Sequence, residues 1–460
     1  MNSQNERAAK RSRLFLWISI FVVVPFSLLA VVILLWIGRE VSGSSRLKAR
    51  IATLKKQGYP TDDASLEAQY KAGTDPTNTD AWLELIDTLK SSDFVASSKG
   101  IPYLSLDAEV PVEPIEEWVE EKASLVFLEK WKTLYADVLL LSIDAKPVRF
   151  PIVFDSYRTL LPQTEKMRQF ARLLQLRGRV ALRSRDSASV RDVIDGLLGL
   201  SRVNSAEPNL VSQLVSHAID GVALELLKES LQRDAINESD LRTLLPKVMA
   251  WINIGTEWSS SIAGELALSL PVFTDSKKAK AMGVVSIPGR ARDAFFYIET
   301  SQRVLEIPTD RLDKIQAEMN SLQIEQEMKG GWIKTFDTLL TNQLMPDYAA
   351  AVNAMIRRAL QHRMAAVAIG IRLYEDGHSK LPDSLGDLSE VNVDTIQLGP
   401  TEERSFGYQR NGTSAKLWGG SSQDLFSIPS EPHSPTAKPS APALQADNDL
   451  WLWNLLPQVR

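Results

Sequence analysis

Arg168, Arg172, Arg179 and Arg183 stand at intervals of four, seven and four residues. At 100° per residue they fall within about 60° of arc on one helix face. Arg185 and Arg191 follow closely. Guanidinium groups ranked in this way suit anion recognition, and the surfaces they would fit are lipid headgroups, a cell-wall polymer or an acidic protein partner. The plainer reading is a solvated face neutralised by Glu165, Asp186 and neighbouring helices. Other chemistry is sparse. There is no cysteine, which excludes disulfides, cysteine-ligated zinc, iron–sulfur clusters and thiol catalysis. The histidines are His217, His362, His378 and His433. No HExxH occurs, and His362 and His378 stand sixteen residues apart without a second ligand at helical spacing, so they read as surface or capping residues. His378, near a helix end, suits the helix dipole.

No phosphate-binding glycine motif, GxSxG or SxxK nucleophile occurs in a convincing context. Gly330-Gly331 and Gly419-Gly420 read as turns, and the pairs Glu116-Glu117 and Glu120-Glu121 as a solvated helix face. The expectation is no catalytic residue, no metal and no cofactor. Formal net charge is −5 over 460 residues, which argues against nucleic acid as a partner. An apolar content of 44% places the chain among ordinary globular proteins.

The elements that must carry these residues begin with a membrane segment. After a basic tail at 1–13, residues 14–37 read LFLWISIFVVVPFSLLAVVILLWI, with no charge. Its 24 residues reach roughly 36 Å as a helix, enough for a bilayer core of about 30 Å. We expect a transmembrane helix at 14–38, with Trp17 and Trp36 at its interfaces and Pro25 as a tolerated kink. A cleaved signal peptide is the rival, with a weak site at Val41-Ser42-Gly43, but signal cores run only about 7–15 residues. Flanking arginines and lysines are balanced, so orientation rests on the ease with which long soluble regions translocate. That favours a body outside the cytoplasm, with a cytoplasm-facing body as the other option.

A stalk and polar linker are expected at 39–80, then a helical body at 81–400. Residues 115–142 predict one amphipathic helix with the stripe Trp118, Leu125, Leu128, Trp131, Tyr135 and Val138. Four antiparallel helices are predicted from 163 to 251, capped at Ser187 or Ser189 and at Ser239, with Pro208 in the first turn of the third. The inward stripe of that third helix reads Val211, Leu214, Val215, Ala218, Val222 and Leu226. A long loop is expected at 271–290, then helices near 291–306, 310–328, 332–342 and 346–376. At 401–428, Asn411-Gly412 predicts a β-hairpin. A Pro/Ser/Ala-rich linker at 429–449 leads to a Trp-rich end at 450–460, where Trp451 and Trp453 predict a strand returning to the hairpin. The fold class is mainly α, a bundle or short solenoid with a small antiparallel β element.

Three stretches carry resemblances. Residues 173–200, LLQLRGRVALRSRDSASVRDVIDGLLGL, resemble a tetratricopeptide helix pair through Gly178 and Ala181, although a solenoid needs about three repeats. A longer stretch from Phe170 to Leu227, together with MAAVAIGIRLYEDGHSKLPDSLGDL and the hairpin, resembles uncharacterised bacterial single-pass membrane proteins with a helical body. Tyr374, Gly377 and Pro382 also resemble the helix-to-sheet junction of type II secretion pseudopilins, with Gly377 at the left-handed position after the helix. The pseudopilin leader and calcium loop have no match, so no pilus subunit is predicted. The resemblances carry no known activity; the anchor, the helical array and the absence of a catalytic signature lead to the expectation of a membrane-anchored scaffold or interaction module at the bacterial cytoplasmic membrane. Its partners would be the bilayer through 14–37 and a protein or anionic envelope component. The alternative is an envelope enzyme or accessory with a site assembled from dispersed residues.

Overall fold

The structure is a computed structural model that describes residues 24–105, 107–108, 118–255, 257–283, 290–329, 339–395, 397–401, 403–420, 425–426, 428 and 452–455. The first part of the expected membrane span, the start of the helix expected near 332, the segment 429–449, Trp451 and His433 lie outside these residues. The described chain is mainly helical with one small antiparallel sheet.

The helix α1 runs unbroken over Val24–Lys56. At about 1.5 Å per residue its 33 residues reach roughly 50 Å. Its first part presents Phe26, Leu29 and Val31 to the outside, while Leu47 and Leu54 are buried in the body. The stretch expected as a polar linker is built instead. Asp62 and Ser65 form a capping box at the start of α2 (Asp63–Gly73), and Leu66 and Tyr70 are buried. Reading the glycines and prolines as a linker missed that two apolar side chains four apart fix a short helix to the body. Then come α3 (Thr79–Lys90) and α4 (Ser92–Ser97).

The helix expected over 115–142 is two, α5 (Glu121–Lys130) and α6 (Lys132–Ser142). They break at Trp131, whose indole N–H donates to Ser97 Oγ at 2.9 Å while its ring meets Phe94 edge-on. Trp118, Leu128 and Val138 are buried, but Leu125 is exposed.

The four-helix stretch follows as α7 (Pro162–Ser184), α8 (Ser187–Val203), α9 (Leu210–Gln232) and α10 (Glu238–Met249). Asp186 and Asn237 are caps in place of the expected serines, and Asn209 caps the third helix, so Pro208 precedes its first turn rather than standing in it. Each is an Asp or Asn whose side chain reaches the third backbone N–H of its helix. Gly178 lets α7 approach α9, since a Cβ there would lie 2.5 Å from Leu226 Cδ2. The inward face of α9 differs from the expected stripe. Val211 and Leu214 are exposed, while Gln213, Ser216, Ile219, Asp220, Ala223 and Leu227 are buried. The apolar pattern chose the wrong face because the true one carries polar residues.

Next are α11 (Glu257–Thr274) and α12 (Ser276–Ala281), so helix replaces the first part of the loop expected at 271–290, of which 284–289 lie outside the described residues. Pro271 is accommodated inside α11. After them stand α13 (Arg290–Leu305), α14 (Leu312–Lys329), α15 (Leu339–Leu344) and the long α16 (Tyr348–His378). The left-handed residue ending α16 is Ser379 (φ 57°), with Gly377 still helical. A 3₁₀ turn over Leu385–Val391 packs Leu385 and Leu388. The sheet is β1 (Gly407–Asn411), β2 (Ser414–Trp418) and β3 (Leu452–Leu455), in that order. Gly412 (φ +63°) makes the hairpin turn, and Trp453 on β3 pairs opposite Leu417.

The main core joins α3, α5 to α10, the second half of α16 and the sheet. A second cluster packs α14 against the first half of α16. A third buries α1 against α11, α13 and α15. There α1 and α13 run parallel: Gly43 faces Ala291, and Gln302 donates to Gln57 at 3.4 Å.

Gly264 in α11 lies against the backbone before α9. A Cβ there would sit 1.7 Å from Pro208 O, an atom that cannot swing away. Gly264→Ala should therefore lower stability by about 2–3 kcal/mol, the upper range of overpacking. Urea unfolding followed by circular dichroism checks this, and an unchanged midpoint would show that the Pro208 backbone yields.

Candidate functional site

The arginine face is placed first. Arg168 lies 3.4 Å from Glu165, and Arg183 Nε donates to Glu121 at 2.7 Å. Arg179 is buried, paired with Glu229 and Glu225 of α9, and lies over Tyr103. Arg191 reaches Asp240 at 2.9 Å, and Arg185 is the left-handed cap of α7. Among the described residues, Arg172 alone of the four has no carboxylate partner. Helical spacing placed these arginines on one arc, but packing turns Arg179 inward and gives Arg168 and Arg183 carboxylates from their own helix and α5.

Polar chemistry gathers elsewhere, where α8, α9, α16 and the turn after α10 meet. Asp220 of α9 is fully buried. Arg358 of α16 pairs with its Oδ2, and His362 Nε2 lies 3.0 Å from the same oxygen. Ser201 Oγ of α8 lies 3.0 Å from Asp220 Oδ1. Burial alone would push the Asp220 carboxyl up. The Arg358 guanidinium and the His362 ring outweigh that, and the carboxylate is held well below the usual range.

His362 was expected at the surface or as a cap, yet it is fully buried. Met355, Ala359 and Ala366 flank it at helical spacing on the buried face, which is the signal that could have placed it. Its Nδ1 faces Val248 O at 3.0 Å. Both ring nitrogens are therefore engaged inside the body, and neither points to a place that a substrate could reach. Asp220 stands between serine and histidine, the reverse of a nucleophile–base–carboxylate relay. Ser201 Oγ also lies 2.8 Å from Leu198 O, which fixes it within its own helix.

Around this pair lie further polar groups. The Trp251 ring carries Arg358 Cζ at 3.9 Å and Arg202 Cζ at 5.4 Å from its centre. His217 of α9 is pushed down to about 3, first by burial and then by the Arg358 charge, so it is neutral. Among the described residues, the buried Arg202 Nε, His217 Nδ1, Trp251 Nε1 and Arg358 Nη2 have no hydrogen-bond partner, nor do Oδ1 and Nδ2 of Asn204, two residues after Arg202. Asn204 is 2% exposed. The sequence offered little to find this group, since its members come from four segments up to 156 residues apart.

A second buried acid lies near the start of α9. Glu207 accepts from Gln163 Nε2 at 2.9 Å and bonds Ser212 Oγ. Burial pushes its carboxyl up to about 7. His378 stacks on Tyr374 and meets Glu390 at 2.9 Å, so it tethers the end of α16. A shallow dent beside Thr74 and Pro147 carries only Asp75 and Lys146 as charged groups. Among the described residues, no three His, Asp or Glu side chains are placed to hold a metal ion. Among the same residues one helix, α9, is long and apolar enough to cross a membrane, but it lies mostly inside the body with Asp220 and Glu229 in ion pairs.

No family model, curated protein or solved structure matches this chain.

Proposed function

We propose that the chain is a single-pass protein of the bacterial cytoplasmic membrane, spanning it through residues 14–37, and that its helical body is a binding module rather than a catalyst. One observation carries the reading. The helix α1 projects large apolar side chains, Phe26, Leu29 and Val31, outward at one end and is buried in the body at Leu47 and Leu54 at the other. Exposed apolar residues on a projecting helix are costly in water and favourable in lipid. The buried polar centre argues for binding over catalysis, because its serine and histidine are held by acceptors. The body sits outside the cytoplasm in this reading, as the translocation of long soluble regions favours. Its partners are the bilayer and a protein or anionic envelope component.

The chain has no cysteine, so Ser239→Cys, at an exposed position, introduces a unique thiol for labelling. In intact bacterial cells the full chain should resist alkaline extraction from membranes, and a membrane-impermeant maleimide should reach that thiol without lysis. A chain lacking 14–37 should become soluble. Extraction of the full chain by carbonate would overturn the anchor, and labelling only after lysis would overturn the orientation.

A further inference from the structure

The polar groups around Trp251 are out of balance. Arg202 has no carboxylate partner among the described residues, while Arg358 shares Asp220 with His362. The charged groups ranged on Trp251 and its neighbours are thus two guanidiniums against one carboxylate. Among the described residues, the unpartnered atoms on and around Trp251 are mainly donors: Arg202 Nε, Arg358 Nη2 and Trp251 Nε1. Beside them stands His217 Nδ1, a ring nitrogen that accepts in one neutral tautomer and donates in the other. Buried polar atoms are nearly always satisfied, so a cluster of orphans marks a place where something is bound. Water brings donors and acceptors equally. A surplus of N–H groups and positive charge calls for a group that only accepts.

We propose that Arg202, His217, Trp251 and Arg358 form a binding site for a small oxyanion, the phosphate or carboxylate group of a soluble ligand. The oxyanion accepts from the guanidinium N–H groups and the indole N–H, as charge-assisted bonds favour. The Trp251 ring holds both arginines in place by cation–π contact. Asp220 keeps Arg358 anchored to α9 and leaves its Nη2 free. The site is independent of the membrane anchor and goes beyond the binding-module reading by naming the ligand's chemistry.

The test is calorimetric titration of the full chain in detergent with inorganic phosphate and, separately, malonate. Ionic strength is held constant with chloride. Saturable binding of at least one probe is expected. Arg202→Gln should weaken it at least tenfold, and Trp251→Phe, which keeps an aromatic ring and removes the N–H, several-fold. Arg202 has no carboxylate partner, so its loss leaves no buried charge unpaired, and melting profiles should confirm that both variants fold. Arg172→Gln, on α7 and outside this group, should leave binding unchanged. Tighter binding of phosphate than malonate identifies a phosphate ligand, and the reverse a carboxylate ligand. No saturable binding of either probe through the millimolar range, or equal binding in wild type and Arg202→Gln, overturns the site and leaves buried water as the occupant. Either result leaves the anchor untouched, since partitioning to membranes is read separately.

Discussion

Asp220→Asn should lower stability at neutral pH by about 3–5 kcal/mol, the cost of breaking a buried ion pair from one side. The carboxylate has no solvent exposure and faces three groups at once: Arg358, His362 and Ser201. An asparagine keeps the shape. It turns one acceptor oxygen into an N–H₂ that must face a donor, and it leaves Arg358 without its counter-charge. The double variant Asp220→Asn/Arg358→Gln should recover much of the loss, because both charges are then gone. Denaturant unfolding of the four proteins of this cycle is the measurement. A double variant no more stable than Asp220→Asn alone would remove the ion pair as the explanation. The sign with pH follows from the depressed carboxyl. Its contribution is complete above the ordinary aspartate range and fades as pH falls through the native value. The acid limb of the stability profile should therefore flatten in Asp220→Asn.

Glu207→Gln should act in the opposite direction. The native carboxyl titrates near 7 because burial disfavours its charge, against an ordinary value of 4.5. The native state therefore holds a proton that the unfolded chain releases. Stability is highest below the unfolded value, falls as pH rises from there through 7, and is level above it. The total is on the order of 3 kcal/mol, at about 1.4 kcal/mol for each tenfold difference in proton affinity between the native and unfolded carboxyl. Glutamine mimics the protonated acid and can keep the contacts to Gln163 and Ser212. The variant should thus be about 2–3 kcal/mol more stable than wild type at pH 8 and close to it at about pH 4.5. Melting scans across that range check this, and parallel profiles would show that Glu207 stays ionised in the native state.

Much of the architecture was legible because it rests on local rules. The helices of 162–249 follow from apolar spacing, and the hairpin follows from Asn411-Gly412, where Gly412 takes the positive φ that a tight turn requires. The β3 strand follows from alternating tryptophans, since Trp453 has one place to hide, opposite Leu417. What was not legible turns on which face of a helix is inside. In α9 the inner face carries Gln213, Ser216 and Asp220, so a rule that sends apolar residues inward selects Val211 and Leu214 instead. The candidate site was hidden for the same reason. The signal for Arg202, Trp251 and Arg358 is a set of partners from distant segments, and spacing reports only neighbours. The arginine face of α7 shows the converse: the spacing was real, but Glu225 and Glu229 from α9 decide what Arg179 does.

The separation between Asp220 and His362 has a consequence for how the chain is made. The partner of α9 lies 142 residues downstream. At about 5–20 residues per second, α9 waits on the order of 10 s after its own synthesis before α16 emerges. During that interval it is a segment long and apolar enough to cross a membrane, and α16 does not yet cover it. Asp220 falls at the middle of Leu210–Gln232. An aspartate at the centre of a candidate span raises the free energy of insertion by about 2.5–3.5 kcal/mol. The same carboxylate that later ties α9 to α16 therefore biases the nascent segment against lateral exit into the bilayer while the protein is still unfinished.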